Sequence, residues 1–170
     1  MSLIRRSLSA LSVSALVLGA YAFAGTQAVA QNVNWKPFEK GLKDAAAGKK
    51  YGFVDVYTDW CGYCKQLEAT TLKAKPVVAE LDKHFVSIRF NAESDEKVTW
   101  KGKQLTMAEL AATWGVEGFP TMLFLNSKGE IIGSFASFAD ADLMIKLLTY
   151  ISSGARERKV SFEDYLKEAS

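Results

Sequence analysis

The sequence feature that most constrains this chain is a pair of cysteines, Cys61 and Cys64, separated by Gly62 and Tyr63. They are the only cysteines in its 170 residues. When a helix begins at the first of two residues spaced i and i+3, both side chains lie on one face, close enough for the sulfur atoms to bond. This spacing favours a reversible disulfide that exchanges electrons with another thiol pair.

The two thiols are expected to have different roles. Unpaired backbone N–H groups at a helix N-terminus stabilise negative charge, so we expect the thiolate form of Cys61 to be favoured there. Cys61 is therefore predicted to be the attacking nucleophile. Cys64, one turn further along, is predicted to be more buried and to resolve the mixed disulfide.

A metal site is the alternative interpretation of the pair. Half of a structural zinc site also has this spacing, but such a site needs four ligands. Beyond the cysteines the chain offers carboxylates and a single histidine, His84, which is predicted to be a solvated turn residue. A binder that holds copper between two thiolates is the other alternative, although no methionine is adjacent to Cys61. The redox pair is favoured, with no bound metal or cofactor.

Two stretches frame the cysteines. Residues 53–57 have the β-branched and aromatic composition of a strand, yet carry Asp55 in the middle, and a buried acid needs a reason. Downstream, Phe119, Pro120 and Thr121 precede the apolar residues 122–125, which places a proline at the start of a strand. A strand, a Trp-Cys-Gly-Tyr-Cys helix and a Pro-Thr strand start form a specific combination.

This combination resembles the thioredoxin superfamily from about Trp35 to Ser153. The resemblance implies an α/β thioredoxin fold, with a central mixed sheet of four to five strands flanked by helices on both faces. Residues 66–72 look more like the secreted thioredoxin-like group that includes the terminal domain of the transmembrane thiol:disulfide interchange protein. The Gly-Tyr pair between the cysteines instead resembles that of periplasmic disulfide isomerases, so an isomerase is the nearest alternative function.

The resemblance also implies roles for single residues. Asp55 is implied to be buried and to assist proton transfer at Cys64. The bond before Pro120 is implied to be cis and to face the disulfide, where the backbone of Phe119 would pair with an extended substrate. Arg89 is the nearest counterpart of a lysine that often lies near the buried acid.

The predicted function is an exported thiol:disulfide oxidoreductase that mainly reduces protein disulfides. Trp60 is expected to shield the disulfide and to offer, with Gly62, Tyr63, Phe119 and Pro120, a docking surface for a disulfide-containing substrate protein. We expect a membrane thiol protein as electron donor and a monomeric chain. The net charge of +2, from 21 basic and 19 acidic residues, argues against a nucleic-acid partner.

The amino-terminal residues are typical of an export signal. Arg5 and Arg6 precede an apolar run from Leu8 to Ala24, and the small residues 28–30 follow it. We expect cleavage after Ala30 and a periplasmic location. An uncleaved anchor is the alternative, but the apolar run is shorter than the roughly 20 residues that span a bilayer comfortably.

The rest of the chain divides into two parts. Residues 31–154 are predicted to form one thioredoxin-like domain, and residues 155–170 a C-terminal extension with a short helix. Helical spacing of apolar residues predicts a first helix from Trp35 to Ala47. Asn91 to Gln104 is polar around Trp100 and is predicted to be an exposed, solvated loop.

Overall fold

The structure, a computed structural model, describes residues 32–168, and the predicted export signal therefore lies outside the described residues. Within that range the strands are β1 (Tyr51–Tyr57), β2 (Phe85–Asn91), β3 (Lys97–Trp100), β4 (Lys103–Thr106), β5 (Thr121–Leu125) and β6 (Ile131–Phe135). The α-helices of the same range are α1 (Phe38–Gly48), α2 (Gly62–Ala69), α3 (Lys75–His84), α4 (Met107–Thr113), α5 (Ala141–Ser152) and α6 (Phe162–Glu168). None of these helices is both long enough and apolar enough to cross a membrane.

The central sheet has the strand order β2-β1-β5-β6. β1 pairs in parallel with β2 and antiparallel with β5, which in turn pairs antiparallel with β6. Two parallel neighbours need a crossover connection, and the chain makes it through α2 and α3. The cysteine pair lies at the start of this crossover, directly after the central strand. The predicted mixed sheet is confirmed, with four strands.

Each face of the sheet carries its own hydrophobic core because successive strand residues point to opposite faces. On one face, α2, α3 and α5 pack against Phe53, Met122 and Phe124. On the other face, α1 and α4 pack against Val54 and Ile88. Helices therefore cover both faces, as predicted, and hold β1 rigidly behind the cysteine pair.

Residues 91–104 are not the exposed loop that their polar composition predicts. β3 and β4 form an antiparallel hairpin, and Val98 and Trp100 are only 3% and 9% exposed. The Trp100 ring meets the Trp114 ring edge to face, with ring centres 5.5 Å apart. Polar residues alternate with the two buried ones, so the average polarity of the segment hides one apolar face. The prediction of a solvated loop was wrong.

The first helix begins at Phe38, not at the predicted Trp35. Helical geometry is disfavoured for a residue that precedes a proline, here Lys36. Pro37 itself is extended, with ψ of 151°. The Lys36 N–H donates to the Ser87 carbonyl at 2.8 Å, so the chain runs alongside β2 before the helix starts. This extended approach places Trp35 beside Arg89, whose guanidinium carbon lies 5.3 Å from the centre of the indole ring.

The C-terminal extension packs onto the domain. Its helix α6 lies against α5, where the ring of Tyr150 is 5.3 Å from that of Phe162 and 5.4 Å from that of Tyr165. The Tyr150 hydroxyl also donates to the Val160 carbonyl at 2.6 Å. A short helix in this extension is what the sequence predicts, and these contacts give it a packing role.

The start of α4 gives a local test of the fold. Thr106 Oγ1 accepts the Glu109 N–H at 3.1 Å and Glu109 Oε2 accepts the Thr106 N–H at 2.8 Å, and these two bonds form a capping box. Thr106→Ala is expected to lower the free energy of unfolding by about 1 kcal/mol, because one helix N–H loses its acceptor. Urea denaturation should show a smaller loss for Thr113→Ala, whose hydroxyl bonds within the helix. Equal losses would contradict the capping role.

Candidate active site

Cys61 and Cys64 form a disulfide at the end of the central strand, with their sulfur atoms 2.13 Å apart and their Cα atoms 5.3 Å apart. Cys61 is the N-cap residue of α2, so that Cys64 lies in the first turn. Cys61 Sγ accepts the Cys64 N–H at 3.0 Å. A sulfur atom in this position faces the free amides and the positive end of the helix, which stabilises a thiolate on Cys61 in the reduced protein.

The two cysteines do not differ in burial, contrary to the expectation that Cys64 would be the more buried. Each residue is 4% exposed. The Cys61 side chain turns back over the helix end to cap it, and Gly62 and Tyr63 between the cysteines are exposed. The hydrogen bond to Cys61 Sγ therefore distinguishes the two cysteines, whereas the exposed fraction of the whole residue does not.

Phe119 and Pro120 lie next to the cysteine pair through the sheet register. Thr121 at the start of β5 pairs with Val56 near the end of β1, which brings the preceding loop to the same end of the sheet as the disulfide. The Phe119–Pro120 peptide bond is cis. Pro120 is buried and Phe119 is half-buried. The Phe119 ring meets the Trp60 ring edge to face at 6.0 Å between centres.

Trp60 and Tyr63 are exposed beside the disulfide, at 67% and 65%. The Trp60 indole N–H donates to both carboxylate oxygens of Glu93, at 2.9 and 3.0 Å. Asn91 Oδ1 in turn accepts the Glu93 N–H at 3.0 Å, which fixes the turn after β2. Sequence reasoning missed Glu93. The Asn-x-Glu pattern after a strand signals such a turn, but it does not indicate which side chain the glutamate meets.

Asp55 is 2% exposed in the middle of β1. Burial away from water raises the pKa of its carboxyl from 3.8 to about 6, a shift that Arg89 opposes and Glu68 reinforces. Asp55 Oδ2 lies 3.5 Å from Arg89 Nε, and among the described residues Oδ1 has no hydrogen-bond partner. A carboxyl group with this pKa can take up and release a proton near neutral pH.

Arg89 connects the buried acid to the protein surface. It pairs with Asp55 across the parallel strands, and its guanidinium lies 4.2 Å from the centre of the Tyr57 ring. Its Nη2 donates to Glu68 Oε2 at 2.9 Å. Glu68, which sequence reasoning also missed, follows Cys64 by one helical turn and so shares its face. A cavity of about 100 Å³ has Cys64, Glu68 and Arg89 among its lining residues.

The metal alternative needs further ligands near the cysteines. Among residues 32–168, no three or more His, Cys, Asp or Glu side chains are arranged to hold a metal ion. His84 is the half-buried last residue of α3 and not the solvated turn residue that was predicted, and its Nε2 lies 3.8 Å from Glu80 Oε1 one turn earlier. The histidine thus has a local partner within its own helix.

Comparison with known proteins now assigns the family. A family model described as a thioredoxin-like domain matches residues 38–152. The chain belongs to the thioredoxin-like family. The match begins at the first residue of α1 and ends with α5, so it covers the whole central sheet and the candidate site.

Curated relatives of this thioredoxin-like chain are thiol:disulfide proteins. It is 34% identical over 112 residues to protein disulfide isomerase-like 5-2 of Oryza sativa, covering 65% of this chain and 23% of that protein. It is 31% identical over 97 residues to the thiol:disulfide interchange protein DsbD of Vibrio cholerae, covering 57% of this chain and 15% of that protein. The chain thus spans less than a quarter of the length of these relatives.

Solved structures agree with the family assignment. A candidate disulphide-isomerase of Bacteroides thetaiotaomicron is 32% identical, with a TM-score of 0.57, and the match covers 74% of this chain and 98% of that one. A thioredoxin of Thermus thermophilus is 25% identical, with a TM-score of 0.60, over 72% of this chain and 89% of that one. The thioredoxin fold is therefore confirmed, and the roles of the individual site residues stay predictions.

Proposed function

We propose that this thioredoxin-like chain is an exported thiol:disulfide oxidoreductase that mainly reduces disulfides in protein substrates. The observation that carries the proposal is the Cys61–Cys64 disulfide at the N-terminus of α2, where the Cys64 N–H donates a hydrogen bond to Cys61 Sγ. Exposed Trp60 and Tyr63 beside it offer contact area for a substrate protein.

In the proposed reaction the reduced chain gives two electrons to its substrate. The Cys61 thiolate attacks one sulfur of the substrate disulfide, the substrate S–S bond breaks, and the leaving thiolate takes a proton from water. Cys64 then loses its proton and attacks Cys61 Sγ. The mixed disulfide breaks, the second substrate thiol leaves, and the chain ends in the disulfide form.

Asp55 is the proposed acceptor of the Cys64 proton. Its pKa of about 6 makes it mostly ionised at pH 7, yet a stronger base than an ordinary aspartate. Cys64 and Arg89, which is the ion-pair partner of Asp55, border the same small cavity. Asp55 does not itself line this cavity, so the proposed transfer of the Cys64 proton to Asp55 runs through a water molecule beside Arg89.

Export and the electron donor belong to the same proposal. The charged, apolar and small-residue regions of residues 1–30 support export to the periplasm. The likeness to the thiol:disulfide interchange protein DsbD supports a membrane thiol protein as donor. An exported chain needs a source of electrons because its compartment is oxidising.

A disulfide isomerase of the same fold is the second candidate. The names of the plant relatives and of the Bacteroides structure favour it, as does the Gly62-Tyr63 dipeptide. An isomerase attacks a wrong disulfide and lets the substrate rearrange, so it works with a less reducing active site than a reductase does. The reduction potential therefore separates the two functions.

The reductase proposal predicts a potential near that of thioredoxin, about −270 mV, and not the −180 mV or so of protein disulfide isomerase. Tyr63 adds no positive charge beside Cys61, so we expect only the helix terminus to stabilise the thiolate. Equilibration of the purified chain with glutathione buffers, followed by alkylation and mass spectrometry, measures the potential.

A potential near −180 mV, together with efficient refolding of a scrambled disulfide protein without added reductant, would favour the isomerase. Insulin reduction in the presence of a dithiol donor is the matched activity assay. A chain that shows no turnover there and retains one equivalent of Cu(I) would be a metal binder and not an oxidoreductase.

A further inference from the structure

Two aromatic pairs flank the disulfide. Trp60, directly before Cys61, meets the Phe119 ring at 6.0 Å between centres, and Tyr63, between the two cysteines, meets the Phe138 ring at 6.3 Å. Among the described residues, the large hydrophobic side chains with high exposure are Trp60, Tyr63 and Ile131. Two of these three therefore border the cysteines. We refer to the two contacts as the Trp60 pair and the Tyr63 pair.

The position of Phe138 is fixed by its neighbours. It lies between β6 and α5, and it is half-buried. The next residue, Ala139, is fully buried, and its carbonyl accepts the Thr71 hydroxyl at 2.7 Å. Asp140 then caps α5, with Oδ1 accepting the Leu143 N–H at 2.8 Å. The backbone after Phe138 is thus anchored, and the half-buried Phe138 ring lies beside Tyr63.

The Trp60 pair carries negative charge at its edge. Glu93 accepts the indole N–H, and Asp59 Oδ2 accepts a hydrogen bond from Asn91 Nδ2 at 3.3 Å. Both carboxylates are on exposed residues, and neither forms an ion pair with another residue in the described range. The Tyr63 pair also consists of two rings, but among the described residues neither ring has a carboxylate as a hydrogen-bond partner, and Asp140, two residues after Phe138, caps α5. The carboxylates bound to the surface beside the disulfide are therefore those at the Trp60 pair.

We propose that this surface selects substrate segments with a large apolar side chain on one side of the cysteine and a basic side chain on the other. The apolar side chain packs against Tyr63 and Phe138, where it covers exposed aromatic area. The basic side chain lies over the Trp60 ring and pairs with Glu93. This selectivity rests on the proposed function, because it describes the substrate of that same disulfide.

The test uses the reduced full chain in a single turnover with short peptides, each joined through its one cysteine to 2-nitro-5-thiobenzoate. Cys61 thiolate attacks the peptide sulfur, the peptide–thiobenzoate bond breaks, and the aromatic thiolate leaves because it is the less basic thiol. Cys64 then loses its proton, attacks Cys61 Sγ and releases the peptide thiol. Both electrons come from the protein dithiol, so no other reductant is present.

The peptides vary one position at a time, up to two residues before or after the cysteine. On one side we expect phenylalanine to react about tenfold faster than serine, because ring packing removes apolar area from water. On the other side we expect lysine to react about threefold faster than glutamate, as for an exposed ion pair. Each rate is divided by the rate of the same protein with bis(2-nitro-5-thiobenzoate), which has no peptide.

The variants assign each preference to its residues. Phe138→Ala is expected to abolish the phenylalanine preference and to keep the lysine preference. Tyr63→Ala, which removes the exposed ring of the same pair, is expected to have the same effect. Glu93→Gln is expected to abolish the lysine preference alone, because the amide oxygen still accepts the Trp60 indole N–H. Ile131→Ala and Glu163→Gln, at exposed positions on β6 and α6, are the matched controls and are expected to keep both preferences.

The outcomes separate the two proposals. Failure to release the aromatic thiolate from the peptide-free disulfide and from every peptide would overturn the proposed function and, with it, this selectivity. Reaction with all peptides at normalised rates within twofold would overturn the selectivity alone. Preferences that persist in Phe138→Ala, Tyr63→Ala and Glu93→Gln would also overturn it, since other residues would then be responsible.

Discussion

Cys64→Ser is expected to stop the reaction at the mixed disulfide, whereas Cys61→Ser is expected to prevent that intermediate from forming. A serine hydroxyl at position 61 is not ionised near neutral pH, so insulin reduction should fall by at least about 10³-fold. In Cys64→Ser the attack by Cys61 is retained, but no second thiol is available to break the bond. Non-reducing gels and mass spectrometry of the trapped species measure both effects.

This pair of variants is informative because burial does not distinguish the two cysteines, each of which is 4% exposed. The assignment depends on the helix terminus and on the Cys64 N–H that Cys61 Sγ accepts. The double variant Cys61→Ser, Cys64→Ser is the control for non-specific thiol exchange. A stable mixed disulfide through Cys64 in Cys61→Ser, with none through Cys61 in Cys64→Ser, would reverse the roles.

Asp55→Asn is expected to stabilise the disulfide form by about 3 kcal/mol at pH 8, the free energy that corresponds to raising the pKa of this carboxyl from 3.8 to about 6. Below about pH 4 the carboxyl is protonated in both the folded and the unfolded state. Between about pH 4 and 6 the unfolded state loses its proton first, so the free energy of unfolding falls as pH rises. Above about pH 6 the carboxyl is ionised in both states, and the free energy of unfolding falls no further.

Urea denaturation at pH 4, 6 and 8 checks this expectation, because the stabilisation of Asp55→Asn relative to the natural chain should disappear at pH 4. Asp44→Asn is the matched control, because Asp44 is at the surface, where its ion pair with Lys40 has an N–O distance of 2.9 Å. Loss of an exposed pair changes stability by about 1 kcal/mol at most. A variant Asp55→Asn that is less stable than the natural chain at pH 8 would contradict the burial effect.

The same Asp55→Asn variant should slow the resolving step by about 10²-fold near pH 7, because an amide does not accept the Cys64 proton. In the natural chain the rate of that step should rise as pH increases through about 6, where the Asp55 carboxyl loses its proton. Single-turnover release of the second substrate thiol across this pH range measures it. An unchanged pH profile in the variant would remove Asp55 from the mechanism.

Local patterns in the sequence predicted correctly where the cysteine pair and the strand after Pro120 lie in the fold. The Cys-x-x-Cys spacing fixed two sulfur atoms on one helical turn, and the apolar run after Pro120 predicted β5. The prediction for residues 91–104 failed because it used the average polarity of the whole segment. The β3-β4 hairpin alternates polar residues with Val98 and Trp100, so its composition resembled a solvated loop although one face is part of a core.

The sequence by itself determined the features that depend on neighbours a few positions apart: the disulfide of Cys61 and Cys64, its place at a helix N-terminus, and the family. Only the tertiary structure decided which groups surround it. Trp60 and Glu93 are 33 positions apart, and the Asp55–Arg89 pair exists only because β1 and β2 align in one register. A slip of one residue would turn Arg89 to the opposite face of the sheet. Contacts of this kind depend on strand alignment and core packing, which no short stretch of sequence contains.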